Sequence, residues 1–426
     1  MDECISREED NNTPTTTKVD GNPKLGAFFN KDGLLMSSYG WLVKNAIGII
    51  LLIHGLNSHA RLTFLRQNVE IVDNDKVILK DANNYYVYKD SWIEHFNKNG
   101  YSVYALDLEG HGLSDGWGDL SLNINKFDDL VHDVIQYLNI INDDLCLEEN
   151  EKNSKAICDK AKECTTLCNY DNGSNNDKCK RNVRSNNKRK REKASKGTNN
   201  PQSNDKPCSS KEHTNNKCSS LPIYILGQSM GGNIALRTLQ VLEKTQNNGK
   251  GRLNIQGCIS LSSMICFQKI ASPRSYKYKI FYLPFTRLIG SLFPTLRLAT
   301  KIGFQKYPYL NQLSNFDNIT SKIGLTLKYW CELVKATSNL EKDMRYMPKD
   351  IPILFIHSKE DIFCLYRGVV SFFNRLDNDN KELISLDNME HGLTTEPGNE
   401  IVLEKIVNWI KKLKTKKQMT KSLKNK

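Results

Sequence analysis

One hexapeptide constrains this chain more than any other feature. Gly227-Gln228-Ser229-Met230-Gly231-Gly232 joins a short apolar run, Pro222–Leu226, to a helically spaced segment that begins near Gly232. A strand that turns straight into a helix doubles back so sharply that a side chain two positions to either side of the apex would clash. Gly227 and Gly231 occupy those two positions and remove the clash. The apex residue, Ser229, is lifted above the strand end, and the amide of Met230 is left without an intrahelical acceptor at a helix N-terminus. Such a turn demands a buried sheet for its strand and a packed layer for its helix.

The flanking sequence supplies both. Gly48–His54, Tyr101–Asp107, Pro222–Leu226, Ile255–Leu261 and Ile351–Ile356 are short apolar runs that fit buried strands of a largely parallel sheet. Helical spacing recurs between them, in Phe127, Leu130, Val131, Val134, Ile135 and Leu138, in Ile234, Ala235, Leu239 and Leu242, and in Val402, Ile406, Trp409, Ile410 and Leu413. Strands alternating with helices predict an α/β domain built from βαβ crossovers.

Two regions break the alternation. Residues 147–220 contain only five large apolar side chains, so ordering them would cost more entropy than their burial offsets, and we expect a disordered low-complexity insertion. Residues 266–348 are rich in aromatics and irregular in spacing, which predicts a helical cap over the carboxyl edge of the sheet. Gly290 and Gly303 are candidate hinges within it. The expected layout is a disordered N-terminus over 1–25, core over 26–146, the insertion over 147–220, core with the serine turn over 221–265, the cap over 266–348, core over 349–414 and a basic tail over 415–426.

The net charge of +12 would suit a nucleic-acid binder until it is located. Residues 147–220 carry +7 and residues 411–426 carry +8, which leaves the rest of the chain at −3. Basicity belongs to the appendages, and no nucleic-acid partner is expected. Seven of the 12 cysteines lie in or beside the insertion without paired C-x-x-C units, and they read as free thiols of a reducing compartment rather than a zinc site. We expect no signal peptide and no membrane span, hence a cytoplasmic location. The tail from Lys411 continues an amphipathic helix whose charge suits peripheral contact with an anionic membrane.

A serine hydroxyl is a poor nucleophile without a base. Of the eight histidines, only His357 and His391 follow Ser229. Where a serine sits on a strand-to-helix turn of this kind, the acid and the histidine follow it in that order. His391 has a suitable carboxylate before it, Asp361, just past the strand Ile351–Ile356. Glu360 is a rival acid on the same strand end, whereas Asp387 lies on the wrong segment. The turn His54-Gly55-Leu56-Asn57-Ser58-His59 follows the first strong strand, and its Leu56 amide is placed to join that of Met230 as a second donor to an oxyanion. His54 is then a structural residue of that turn. A metal site from His54, His59 and His111 is not expected, since the chain has no His-Glu-x-x-His.

With these residues assembled, the chain resembles the monoacylglycerol lipase and lysophospholipase-like branch of the α/β-hydrolases, of serine aminopeptidase S33 type, and is similar to the lysophospholipase-like proteins of malaria parasites. The matching pieces are His54–His59, Asp107-Leu108-Glu109-Gly110-His111-Gly112-Leu113-Ser114, Gly227–Gly232, Asp361 and His391-Gly392, within residues 25–145 and 221–414. The resemblance implies an eight-stranded α/β-hydrolase sheet with a helical cap. It also implies hydrolysis of an ester on a single acyl chain, a monoacylglycerol or lysophospholipid, with no cofactor. It gives Ser229 as nucleophile, Asp361 as acid, His391 as base, and Leu56 and Met230 as oxyanion donors. Gln228 departs from the histidine of many members, and the long insertion has no counterpart in compact ones. An aminopeptidase or a small-ester esterase on the same scaffold is an alternative, the peptidase needing acids in the cap such as Glu332 or Glu341. A non-catalytic protein that binds through its basic insertion is another.

Overall fold

The computed structural model describes residues 21–167, 221–245, 253–267, 275–298 and 303–424. Its centre is an eight-stranded sheet formed by β1 (Lys24–Phe29), β2 (Leu35–Trp41), β3 (Gly48–Ile53), β4 (Tyr101–Leu106), β5 (Ile223–Gln228), β6 (Ile255–Leu261), β7 (Ile353–Ser358) and β8 (Lys381–Leu386). The spatial order is β1-β2-β4-β3-β5-β6-β7-β8. β2 runs antiparallel to both of its neighbours, and every other pairing is parallel. The expected mostly parallel sheet is therefore present, with an antiparallel pair, β1 and β2, that periodicity did not reveal. β1 is an edge strand with mostly exposed residues, so it carries no apolar signal.

β3 and β5 are buried along their whole length, because helices cover both faces of the sheet. Ile50 and Leu52 point to one face and join a core with Trp92 and Phe96 of α2 (Trp92–Lys98) and Val402, Ile406, Trp409 and Ile410 of α9 (Asn399–Lys424). α4 (Met230–Thr245) packs against β3, β5 and β6, and α8 (Tyr366–Arg375) against β7. Burying one such aliphatic side chain contributes about 1.5–3 kcal/mol, so the two faces together dominate the stability of the sheet.

α3 (Phe127–Leu167) buries Phe127, Leu130, Val131, Val134, Leu138 and Ile141. It continues past residue 147, the expected start of the insertion, through a segment without glycine or proline. Residues 143–219 form a second compact unit, of which the helical stretch to Leu167 is described. Residues 168–220, with the run Lys188–Arg191, lie outside the described residues, as does the N-terminal segment before Gly21. Cys258, Cys266, Cys331 and Cys364 are free thiols, whereas Cys146 is disulfide-bonded, a departure from the free thiols expected around the insertion.

Between β6 and β7 the described residues hold α5 (Leu283–Leu292), α6 (Leu310–Phe316) and α7 (Leu327–Lys342). Gly290 lies inside α5, where an added Cβ would come 2.8 Å from Cys331 Sγ of α7. That glycine permits close packing of α5 on α7. A second unexpected feature joins β3 to β4, where Val69–Ile71 pairs with Val77–Leu79 in a small hairpin. Asn74 at its tip donates to the Lys306 carbonyl at 2.9 Å and accepts from the Tyr309 amide at 3.1 Å. Among the described residues no helix is long and apolar enough to cross a membrane.

Candidate active site

The turn between β5 and α4 places Ser229 at φ +58°, in the left-handed region that a non-glycine residue adopts only when its surroundings hold it there. Those surroundings are tight. A Cβ at Gly227 would lie 2.0 Å from the Gly231 carbonyl oxygen, and one at Gly231 would lie 2.2 Å from that of Ile53. The Ser229 amide donates to Leu261 at 2.8 Å, and its carbonyl accepts from Gly232 and Met264 at 3.0 Å each. The apex is thus tied to β6 and to its own helix.

The loops after β7 and β8 meet over this apex. His391 Nε2 is 2.7 Å from Ser229 Oγ, and His391 Nδ1 is 2.8 Å from Asp361 Oδ2. The other oxygen of Asp361 accepts the amides of Phe363 and Cys364 at 2.9 and 2.8 Å. Burial alone would raise the pKa of Asp361, but the charge of His391 and the hydrogen bonds of His357 and His391 hold it well below the usual carboxylate range. For His391 burial works in the opposite sense, and the facing Asp361 carboxylate outweighs it and raises the imidazole above its ordinary value. A hydroxyl bonded to one imidazole nitrogen, with a carboxylate on the other, can pass its proton to that ring at near-neutral pH.

The rival acids stand elsewhere. Glu360 is paired with Lys306 at 2.9 Å and accepts the Asn388 amide, and Asp387 is paired with Lys359. The Gly55–Leu56 turn lies directly against the serine, since a Cβ on Gly55 would be 3.2 Å from Ser229 Cβ and 3.7 Å from Oγ. Met230 is buried as the first residue of α4, with Tyr329 OH 3.2 Å from its sulfur. The amides of Leu56 and Met230 therefore belong to the two segments that border the hydroxyl. His54 Nδ1 donates to the Gly55 carbonyl and Nε2 accepts the Leu108 amide at 2.9 Å, and burial pushes its pKa down to about 3. His59 caps the short helix α1 (Ala60–Phe64) and lies 2.8 Å from Asp317.

Sequence reading named His357 and Gln228 but not their contacts beside the site, and it did not single out Glu396. His357 Nε2 lies 3.2 Å from Asp361 Oδ2 and 3.1 Å from the Cys364 carbonyl. Gln228 donates to the His391 carbonyl, and Glu396 accepts amides of the His391 loop. His357 ends a strand and Glu396 precedes a helix, where an acid is ordinary, so neither carries a local signal. A segment from the β6–β7 connection braces the same loops. The Gln305 amide donates to Glu390, Tyr307 OH donates to the Asn388 carbonyl at 3.3 Å, and Phe304 meets Phe363 edge to face, the Phe363 ring lying 4.9 Å from that of His391.

The fold and the matching sequence define the class. The family model for serine aminopeptidase S33 matches residues 81–152 and 209–398, more than half of the chain, and the chain belongs to that family of serine α/β-hydrolases. Among solved structures it is similar to a monoglyceride lipase from Saccharomyces cerevisiae, at 17% identity and a TM-score of 0.53, covering 94% of this chain and 98% of that one. It is also similar to a monoacylglycerol lipase from Paleococcus ferrophilus, at 14% identity and a TM-score of 0.52, covering 89% and 99%. A carboxyl esterase from Bacillus coagulans matches at 14% identity and a TM-score of 0.52, covering 92% and 98%. At these identities the likeness is one of fold. No curated protein sequence matches the chain.

Proposed function

We propose that this chain is a serine hydrolase that cleaves carboxylic esters of single-acyl-chain lipids, a monoacylglycerol or a lysophospholipid, through an acyl-enzyme. The observation that carries the reading is the unbroken run from Ser229 Oγ through His391 to Asp361, at 2.7 and 2.8 Å. In this reading Ser229 Oγ attacks the ester carbonyl and its proton moves to His391 Nε2. The oxygen that becomes negative takes hydrogen bonds from the amides of Leu56 and Met230. His391 then returns the proton to the departing alcohol, the C–O bond breaks, and the acyl group stays on Ser229. Water, deprotonated by the same nitrogen, releases the fatty acid and restores the hydroxyl. Asp361 keeps the proton of the neutral ring on Nδ1 and stabilises the imidazolium.

The lipid part of the reading rests on the connection between β6 and β7. Tyr276, Phe281, Phe285, Leu288, Leu292 and Phe293 are exposed on and around α5, in a stretch with Lys277, Lys279, Arg287 and Arg297 and no acid. An exposed apolar face in a stretch carrying only cations suits an anionic lipid surface. α5 packs on α7, which carries Tyr329 against Met230, so this face belongs to the site's side of the sheet. The basic tail does not. Lys414 donates to the Ile47 carbonyl and Lys417 to Gln256, at the amino ends of β3 and β6, away from Ser229. Lipid therefore reaches the serine from the α5 side, and a contact through the tail serves a different surface.

The peptidase alternative needs a free acid for a substrate amino terminus. Glu332 accepts the Phe127 amide and pairs with Lys335, and Glu341 is held by Arg375, which favours an ester substrate. The test is an ester series of increasing acyl length beside aminoacyl arylamides, with Ser229→Ala as control. We expect kcat/KM to rise with chain length, each buried methylene contributing about 0.8 kcal/mol until the pocket is filled. Faster cleavage of arylamides than of any ester would overturn the lipid reading.

A further inference from the structure

The loop that carries His391 rests on one buried carboxylate. Glu396, five residues on, is fully buried and turns back beneath the loop. Its Oε2 accepts the amide of Glu390 at 2.6 Å, and its Oε1 accepts the amide of Gly392 at 2.5 Å. These are the two amides that flank His391. The carbonyl of His391 itself takes the Gln228 side chain at 2.7 Å and the Leu393 amide at 3.0 Å.

We propose that Glu396 is a positioning residue for the base, its carboxylate bridging the amides of the residues on either side of His391 and so setting the aim of the ring at Ser229 and Asp361. This rests on the reading of His391 as the base. Three observations separate the role from general packing. The two acceptor oxygens are divided between the two amides next to the base, and neither amide lies in a helix or strand that would satisfy it otherwise. The acid that faces the ring is already Asp361, so the second carboxylate is not a spare partner for the imidazole. Glu396 also adds negative charge beside His391, together with Glu390, in the same sense as Asp361. A carboxylate accepts from both amides at once. An amide side chain of the same size accepts one and turns an NH2 group towards the other.

The experiment compares Glu396→Gln and Glu396→Asp with the full-length wild type, reading kcat, KM, the pH profile of kcat/KM, and melting temperature. Misaiming the ring by a fraction of an ångström is expected to lower kcat about 10- to 100-fold with KM within about twofold. Loss of the negative charge in Glu396→Gln is expected to move the acid limb of the profile to lower pH, whereas Glu396→Asp keeps the charge and the limb while losing kcat through its shorter reach. Folded Glu396→Gln with wild-type kcat and an unmoved limb, whatever its melting temperature, would overturn the proposal and leave Glu396 as packing. If Glu396→Gln does not fold, Glu396→Asp decides by the same kcat criterion. A fluorophosphonate probe on the wild type distinguishes the two levels. Labelling at Ser229 with unaffected Glu396 variants removes only this role, whereas no labelling removes the base and this role with it.

Discussion

The side chain of Gln228 donates to the backbone carbonyl of His391 at 2.7 Å, so the residue that precedes Ser229 also holds the loop that carries His391. The two lie 163 residues apart, and the bond ties the turn after β5 to the loop after β8.

Gln228→Leu keeps the volume and removes the donor. One lost buried hydrogen bond of about 1–1.5 kcal/mol corresponds to roughly a tenfold change. We expect kcat to fall by about that factor, with a small loss of melting temperature, because the carbonyl retains the Leu393 amide. Steady-state kinetics and a thermal melt check it.

Gly231→Ala tests the turn. The added Cβ would lie 2.2 Å from the Ile53 oxygen and 2.5 Å from that of His54, both backbone atoms that cannot move without opening β3. Activity is expected to vanish and stability to fall by more than about 3 kcal/mol, measured by urea denaturation.

How much of this was legible in sequence follows from where each constraint acts. The Ser229 turn is local, with glycines at fixed offsets between a strand and a helix, and it could be read directly. Asp361 and His391 follow from chain order, since each sits one loop past a strand. Gln228 and Glu396 act on a backbone that only the closed fold brings to them, and nothing in Gly-Gln-Ser or Thr-Glu-Pro records that partner. β1 and β2 were missed because an antiparallel edge pair with one exposed strand lacks the continuous apolar run that marks the parallel strands.

The pH dependence of catalysis has a definite sign. In the proposed mechanism His391 must be neutral to accept the serine proton, and its pKa stands above the ordinary histidine value because Asp361 outweighs its burial. The ratio kcat/KM is expected to fall as pH drops through a midpoint above about 6.5 and to be flat on the alkaline side. Asp361→Asn removes both that charge and the acceptor for Nδ1, and is expected to lower kcat by about 10⁴-fold.

Stability should depend on pH through Glu109. Both of its carboxyl oxygens are buried without a partner, and burial, with Asp133 and Asp129 nearby, pushes its pKa up to about 8. A carboxyl whose folded pKa is raised contributes fully below its unfolded value of about 4.3 and loses that contribution as pH rises towards 8. Glu109→Gln imitates the protonated form. Its melting temperature is expected to exceed that of the wild type by a margin that grows from pH 5 to pH 8, as followed by calorimetry.

The central claim is that Ser229 is activated by His391. The direct measurement is the rate of fluorophosphonate labelling, with the adduct located by peptide mass spectrometry, in the wild type, Ser229→Ala and His391→Ala. The account predicts one adduct, on Ser229, absent in Ser229→Ala and slowed by about 10³-fold or more in His391→Ala. Labelling of Ser229 at the same rate in His391→Ala, or an adduct on another residue with hydrolysis intact in Ser229→Ala, would contradict it.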